Sequence, residues 1–182
     1  MHFHQDNIAF PSRKALRLKD YDYSTAGSYF ITICTEGHKC LFGHIENDCI
    51  VMSQTGEMVD SCLTSLETHH KGVRVLERVV MPNHIHFIIF LDGCKYERTA
   101  HNVENLIQQF KSYTTHLYAY MRSGNGILWQ RNYYEHIIRN ERSFNYIQGY
   151  IRQNPARWLQ DKMNVESQAE KDNIMKNILT MA

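Results

Sequence analysis

The segment VRVLERVVMPNHIHFIIFL, residues 73–91, constrains the fold more than any other part of the chain. Its two apolar runs flank Pro82-Asn83, which is turn chemistry, and so predict antiparallel strands over 73–81 and 84–91. Side chains alternate along a strand, so one face of the second strand is wholly apolar. That face consists of Ile85, Phe87, Ile89 and Leu91. The other face starts with His84 and His86 and then turns apolar. A strand covered on both faces is expected at the centre of a sheet.

The remaining segments alternate between strand and helix patterns. Further strands are predicted at 29–34 and 133–139, and 40–52 is expected to form a hairpin that turns at Glu46-Asn47-Asp48. Helical periodicity covers about Ser53–His69, with Ser53 as N-cap, then Val103–Met121 and 141–153. A further helical segment is expected after Pro155. The order predicts an α+β fold with helices packed on an antiparallel sheet, for which a ferredoxin-like arrangement is the obvious candidate.

The length of 182 residues suggests one domain, residues 1–182, with a basic N-terminal arm at 1–20 and a C-terminal helical tail at 162–182. No apolar run approaches the length of a membrane span, and the first residues are too polar for a signal peptide. We therefore expect a soluble cytoplasmic protein. The five cysteines are scattered and odd in number, which argues against a disulfide framework and against a zinc ribbon.

Charge is distributed unevenly, although the net charge is only +1. Residues 101–160 contain seven Lys or Arg and three acids, and the N-terminal arm adds Arg13, Lys14 and Arg17. This distribution fits either ordinary surface charge or a surface that contacts phosphates.

His84 and His86 project side by side and can offer two nitrogens to one metal ion. The same spacing also fits two hydrogen-bonded histidines near a strand end. A catalytic metal needs further ligands, and the third helix offers Asn154, whose amide oxygen suits a hard cation, one turn after Tyr150. Alternatively, Tyr150 is a core tyrosine, and Asn154 with Pro155 starts the next helix as N-cap and N1.

Four blocks occur in a fixed order: VVMPNHIHFIIF, NLIQQFKSYTT, LWQRNYYEHIIRN and YIQGYIRQNPARW. With YDYSTAGSYFITICT before them, they resemble the IS200-like single-tyrosine HUH transposases, particularly the REP-associated tyrosine transposase branch. The resemblance extends from about Asp20 to Trp158 and implies the ferredoxin-like fold of HUH nucleases.

The resemblance also implies an activity. Such proteins cut single-stranded DNA beside a hairpin, and a tyrosine becomes joined to the 5′-phosphate while a 3′-hydroxyl is released. Tyr150 would be the nucleophile, and His84, His86 and Asn154 would hold Mg²⁺ or Mn²⁺. Many relatives have glutamine at the last of these positions. Tyr133, Tyr134 and Tyr146 compete for the nucleophile role, but the pair Tyr150-Asn154 has the spacing of the family.

The expected partner is single-stranded DNA with hairpin elements, bound in the cytoplasm or at the nucleoid by a monomer or homodimer. Candidate DNA contacts are Lys111, Arg131, Arg139, Arg142, Arg13, Lys14 and Arg17 for phosphates, and His136, Tyr133 and Trp129 for bases. Core packing is the favoured alternative for Trp129. Two other functions remain open: a domesticated protein that binds hairpin DNA without cutting, and a metal hydrolase that uses water.

Overall fold

The computed structural model describes residues 25–93, 102–124, 126–161 and 163–164. The predicted DNA contacts Arg13, Lys14 and Arg17, the arm that carries them and nearly all of the predicted C-terminal tail lie outside the described residues. Among the described residues, no helix has both the length and the apolar character needed to cross a membrane.

The elements follow one another much as the sequence predicts. In chain order they are β1 (Gly27–Cys34), β2 (Gly43–Glu46), β3 (Cys49–Met52), α1 (Gln54–His69), β4 (Val73–Met81), β5 (His84–Leu91), α2 (Val103–Met121), β6 (Tyr134–Ile138) and α3 (Glu141–Gln153). Short 3₁₀ turns occupy Glu36–His38 and Pro155–Gln160. The segment after Pro155 is therefore helical, as expected, but a tighter 3₁₀ turn.

Four strands form an antiparallel sheet in the order β4-β5-β1-β6. Without the separate β2–β3 hairpin, the chain runs β1-α1-β4-β5-α2-β6, which is the β-α-β-β-α-β order of ferredoxin-like folds. The predicted α+β class and antiparallel sheet with packed helices are confirmed. β5 lies between β4 and β1, so the prediction that this strand is central is also confirmed.

The two faces of the sheet carry separate apolar clusters. The larger one joins Ile85, Phe87 and Ile89 of β5 to residues of α1 and α2. The smaller one contains Phe30, Ile88, Ile147 and Ile151, so α3 packs on the face that also bears the two histidines. A slip of one residue would exchange the two faces of β5, so burial of both faces fixes the register in which β5 pairs with its neighbours.

The structure contains the predicted turn between β2 and β3 and the predicted N-cap of α1. Asn47 and Asp48 both have positive φ, as a type I′ hairpin between β2 and β3 requires. The Ser53 hydroxyl accepts a hydrogen bond from the Gly56 N–H and caps α1.

Candidate active site

His84 and His86 occupy the first turn-proximal positions of β5 and are 0% and 1% exposed. Their Nε2 atoms lie 3.1 Å apart, so both rings direct the same nitrogen to one point. The Trp158 ring lies beside His84, with centroids 6.0 Å apart, and the Phe30 ring lies 5.4 Å from His86. Two imidazoles that converge in this way can bind a single cation.

Neighbouring polar groups orient both rings through their other nitrogen. Asn83 Nδ2 donates to the carbonyls of His38 and Met163, so the amide is fixed with Oδ1 toward His84. That Oδ1 lies 2.8 Å from His84 Nδ1 and accepts a hydrogen bond from its N–H, which leaves a lone pair on Nε2. Thr32 Oγ1 lies 2.7 Å from His86 Nδ1 and can play the same part. Such partners of the distal nitrogen are typical of histidines that bind metals.

Burial keeps both rings neutral at neutral pH. It lowers the pKa of His84 well below the ordinary value, and the adjacent His86 and His38 lower it further. Burial likewise lowers the pKa of His86 to about 3. Neutral imidazole is the form that ligates a metal ion, because the nitrogen lone pair is then available.

The lowered histidine pKa values predict that the metal-free protein loses stability in acid. Below pH 6.5 these histidines bind protons in the unfolded chain but stay neutral in the folded chain. The free energy of unfolding therefore falls as pH falls, and the contribution of His86 continues down to about pH 3. One such histidine accounts for a loss of roughly 2 kcal/mol at pH 5. Urea unfolding with chelator at pH 7 and pH 5 measures it. His86→Gln should show a smaller loss, and equal losses in both proteins would contradict this assignment.

Tyr150 approaches the histidines from α3. Its hydroxyl lies 3.3 Å from His86 Nε2, and its ring meets Phe30 edge-on with centroids 6.2 Å apart. Burial raises the pKa of this phenol, the Asp161 carboxylate raises it further, and a hydrogen bond with Asn154 opposes them. The hydroxyl is therefore protonated at neutral pH in the absence of a cation. A nearby positive charge would stabilise its ionised form.

Asn154 lies one turn after Tyr150 and is 2% exposed. Asn154 and Pro155 stand at the N-cap and first positions of the following 3₁₀ turn, as the alternative predicted, but the Asn154 side chain makes no capping bond. Its Oδ1 is buried and has no hydrogen-bond partner among the described residues. Leaving a buried acceptor unsatisfied costs about 1–3 kcal/mol, so this oxygen is a candidate ligand for a cation.

Asp161 joins this group, although no motif or spacing in the sequence selected it. Its carboxylate and the ring nitrogens of His84 and His86 offer ligand atoms that all lie within 4.8 Å of one another. The residue directly follows the 3₁₀ turn Pro155–Gln160, where neither helical nor strand periodicity predicts which way a side chain points. Thr32 was likewise not singled out from the sequence, and Asn83 was predicted only as a turn residue, not as a partner of His84.

A cleft of about 350 Å³ gives access to Tyr150, Asn154 and Asp161. The other residues that line it are Arg157, Gln160 and Met163. Together the site offers two imidazole nitrogens, an amide oxygen and a carboxylate oxygen. This mixed set fits a divalent cation such as Mn²⁺ or Mg²⁺, and Arg157 beside it suits a phosphate.

The predicted DNA contacts among the described residues lie in three places. Arg131 is exposed and lies at the histidine end of the sheet. Its position follows from its neighbour Gln130, whose N–H donates to the carbonyl of Cys34, and Cys34 pairs with His84. Arg139 and Arg142 are exposed at the opposite end, beyond Ile138. Lys111 is tied inward, because its Nζ donates to the carbonyls of Gln130 and Arg131 at 2.7 and 2.9 Å.

Two aromatic side chains of β6 share the histidine face of the sheet. Tyr134 pairs with Thr32, which itself pairs with His86, and the exposed His136 pairs with Phe30. Tyr134 is 54% exposed and packs edge-on against Phe30. Tyr133 instead packs against the larger core, and Trp129 is buried in it, as the core alternative predicted. An open aromatic edge therefore extends from the site along β6.

Comparisons with known proteins bear on the family and the fold of this chain. Residues 28–154 match the family model described as transposase IS200 like. The chain is 36% identical over 178 residues to an uncharacterized protein of Haemophilus influenzae strain Rd, which covers 88% of this chain and 97% of that protein. A solved structure of a REP-associated tyrosine transposase bound to a REP hairpin superposes with a TM-score of 0.57 at 21% identity. That match covers 78% of this chain and 73% of the other.

Proposed function

This chain belongs to the IS200-like transposase family, and we propose that it cuts and rejoins single-stranded DNA beside hairpins through a covalent link to Tyr150. The observation that carries the proposal is the position of the Tyr150 hydroxyl, 3.3 Å from His86 Nε2. A nucleophile is thereby held against the two nitrogens best suited to a metal ion. The buried Oδ1 of Asn154, which has no hydrogen-bond partner in the described part of the chain, supports the same proposal.

His84, His86 and Asn154 would hold the divalent ion, Mn²⁺ or Mg²⁺. When bound, the ion would polarise the scissile phosphate and lower the cost of ionising the nearby phenol. The surrounding residues prepare both histidines to bind the ion. Asn83 and Thr32 orient the two imidazole rings, and burial keeps both rings neutral. Phe30 packs edge-on against the Tyr150 ring and restricts its position.

Tyr150 forms the new bond in the proposed reaction. Its oxygen attacks the phosphorus, the bond from phosphorus to the 3′ oxygen breaks, and the leaving oxygen takes up a proton as a 3′-hydroxyl. The phenol gives up its own proton, so atoms and charge balance. The tyrosyl phosphodiester retains the bond energy, and a later attack by a 3′-hydroxyl rejoins DNA without ATP.

Hairpin DNA is the proposed partner, and the solved relative bound to a REP hairpin supports this choice through its shared fold. Unpaired bases next to the hairpin would stack on Tyr134 and His136 along the β6 edge, and Arg131 would contact a phosphate near the site. Arg139 and Arg142 would contact the DNA backbone at the end of the sheet opposite the histidines. Lys111 is better suited to supporting the chain near Arg131 than to binding DNA, since both carbonyls already engage it.

The same proposal extends to the whole chain. Residues 1–182 would form one nuclease domain, in which the arm 1–20, with Arg13, Lys14 and Arg17, contacts DNA. The protein would act on chromosomal DNA in the cytoplasm, as a monomer or a homodimer.

A covalent-trapping assay tests the proposal. The protein is incubated with Mn²⁺ and labelled single-stranded hairpin DNA from the flanks of its own gene, and the products are separated on a denaturing gel. A shifted band that disappears with chelator, and that fully duplex DNA does not give, is expected. A nick without an adduct would favour hydrolysis by water. Binding to several flanking hairpins without cutting would favour a domesticated binding protein.

Thr32→Val tests whether orientation of His86 supports metal binding. Valine matches threonine in shape but cannot bond the Nδ1 of His86, which the Thr32 hydroxyl meets at 2.7 Å. Loss of such an outer partner typically lowers metal affinity 10- to 100-fold, so we expect about tenfold weaker Mn²⁺ binding by calorimetry. Thr64→Val, on an exposed part of α1, is the matched control. Unchanged Mn²⁺ affinity in Thr32→Val would exclude this role.

A further inference from the structure

The chain after α3 turns back onto the histidines. Trp158 is buried and lies beside the His84 ring. Its carbonyl accepts hydrogen bonds from the Asp161 N–H at 3.1 Å and from Asn164 Nδ2 at 3.1 Å. Asn164 is itself buried. The segment that carries Asp161 is thus anchored on both sides of this residue.

Asn83 joins this segment to the metal-binding ring. It accepts a hydrogen bond from His84 Nδ1 through Oδ1 and donates from Nδ2 to the Met163 carbonyl at 2.7 Å. Met163 N–H in turn donates to Asp161 Oδ1 at 2.8 Å. One buried asparagine therefore fixes both the direction of His84 and the backbone two residues after Asp161.

This bonding leaves the carboxylate able to bind a cation. An ionised carboxylate has two oxygens and can accept several bonds, of which Met163 N–H uses one. Its ligand atom lies within 4.8 Å of those of both histidines. It lines the same cleft as Asn154, whose buried Oδ1 has no partner among the described residues. The carboxylate and the orphaned amide oxygen thus border one space beside the two imidazoles.

We propose that Asp161 is a further ligand of the divalent ion, an anionic one that completes the neutral set His84, His86 and Asn154. The inference rests on the proposed function and adds to it a residue outside the histidine pair and the tyrosine helix. A carboxylate adds charge to a site whose other protein ligands are neutral, and it favours hard cations such as Mg²⁺ and Mn²⁺. Asp161 should therefore contribute to metal affinity even in the absence of DNA.

Calorimetric titration of the full chain with Mn²⁺ at pH 7.5, without DNA, tests this role. Asp161→Asn keeps the shape and removes the charge, and it should weaken Mn²⁺ binding at least about tenfold. Glu57→Gln removes the same charge from an exposed position on α1, across the sheet from the site, and should bind as wild type does. Equal affinities in wild type and Asp161→Asn would overturn the inference.

The outcomes separate this inference from the function that it rests on. Wild type that binds no Mn²⁺ would reject both. Normal metal binding by Asp161→Asn, together with loss of binding in His86→Ala, would reject the role of Asp161 alone. Should Asp161→Asn melt early in chelator, Asp161→Glu gives a second comparison, because it restores a carboxylate. It should bind Mn²⁺ more tightly than Asp161→Asn, and equal affinities of the two variants would again reject the role.

Discussion

Tyr150→Phe is expected to abolish the covalent protein–DNA product, with a loss on the order of 10³-fold or more in the rate of cutting. The substitution removes one oxygen, which lies 3.3 Å from His86 Nε2, and preserves the ring that packs on Phe30. The fold and the binding of hairpin DNA should therefore persist. Denaturing gels measure the adduct, and gel-shift titration under native conditions measures binding.

Tyr146→Phe is the matched control for this result. Tyr146 lies one turn earlier on α3 and is 78% exposed, so it should retain full adduct formation. Continued cutting by Tyr150→Phe without an adduct would point to a water nucleophile. An adduct that survives in Tyr150→Phe would require another nucleophile.

His86→Ala is expected to reduce Mn²⁺-stimulated cutting roughly 10³-fold, because a metal ion typically contributes several kcal/mol to phosphate chemistry. His86 stands at the centre of the site: its Nε2 faces that of His84 and the Tyr150 hydroxyl, while Thr32 holds its Nδ1. Cutting rates across a Mn²⁺ series, together with calorimetric titration, measure the effect.

The control for His86→Ala is His116→Ala, which removes an exposed imidazole from α2. It should leave both Mn²⁺ binding and cutting unchanged. Thermal melting in chelator shows whether His86→Ala remains folded, since it empties a buried position. A folded His86→Ala protein that cuts at the wild-type rate would contradict a metal site at this pair.

Much of the fold could be predicted because its signals are local. The strands 73–81 and 84–91 have the predicted bounds, since an apolar run, a Pro-Asn turn and another apolar run leave little freedom. Helix α2 likewise begins and ends where its periodicity does. The sheet order depends on contacts between distant segments, and the ferredoxin-like topology was expected only from the order of elements and from the family resemblance.

The site was predictable where residue spacing fixes direction. Strand alternation places His84 beside His86, and helical spacing places Asn154 one turn from Tyr150. That these two pairs meet follows from α3 packing on the histidine face, which a single sequence does not display. Asp161 follows an irregular turn, so the sequence left the direction of its side chain open.

The DNA contacts stay predictions, and the structure places two of them in different surroundings. Lys111 was expected to contact phosphate, yet its ammonium donates to two backbone carbonyls, and burial lowers its pKa. The sequence of a helix does not distinguish a lysine that contacts phosphate from one that donates to backbone carbonyls. Arg131 is exposed and lies close to the histidine end of the sheet, so it stays a predicted contact for DNA near the site.

Mass spectrometry of the trapped adduct identifies the residue that is joined to DNA. After nuclease and trypsin treatment, the tryptic peptide SFNYIQGYIR, residues 143–152, should carry a nucleotide 5′-phosphate. Fragment ions should place it on Tyr150 rather than on Tyr146, which lies in the same peptide. A nucleotide on Tyr150 is the expected result. A nucleotide on any other residue, or cut DNA with a free 5′-phosphate and no modified peptide, would contradict it.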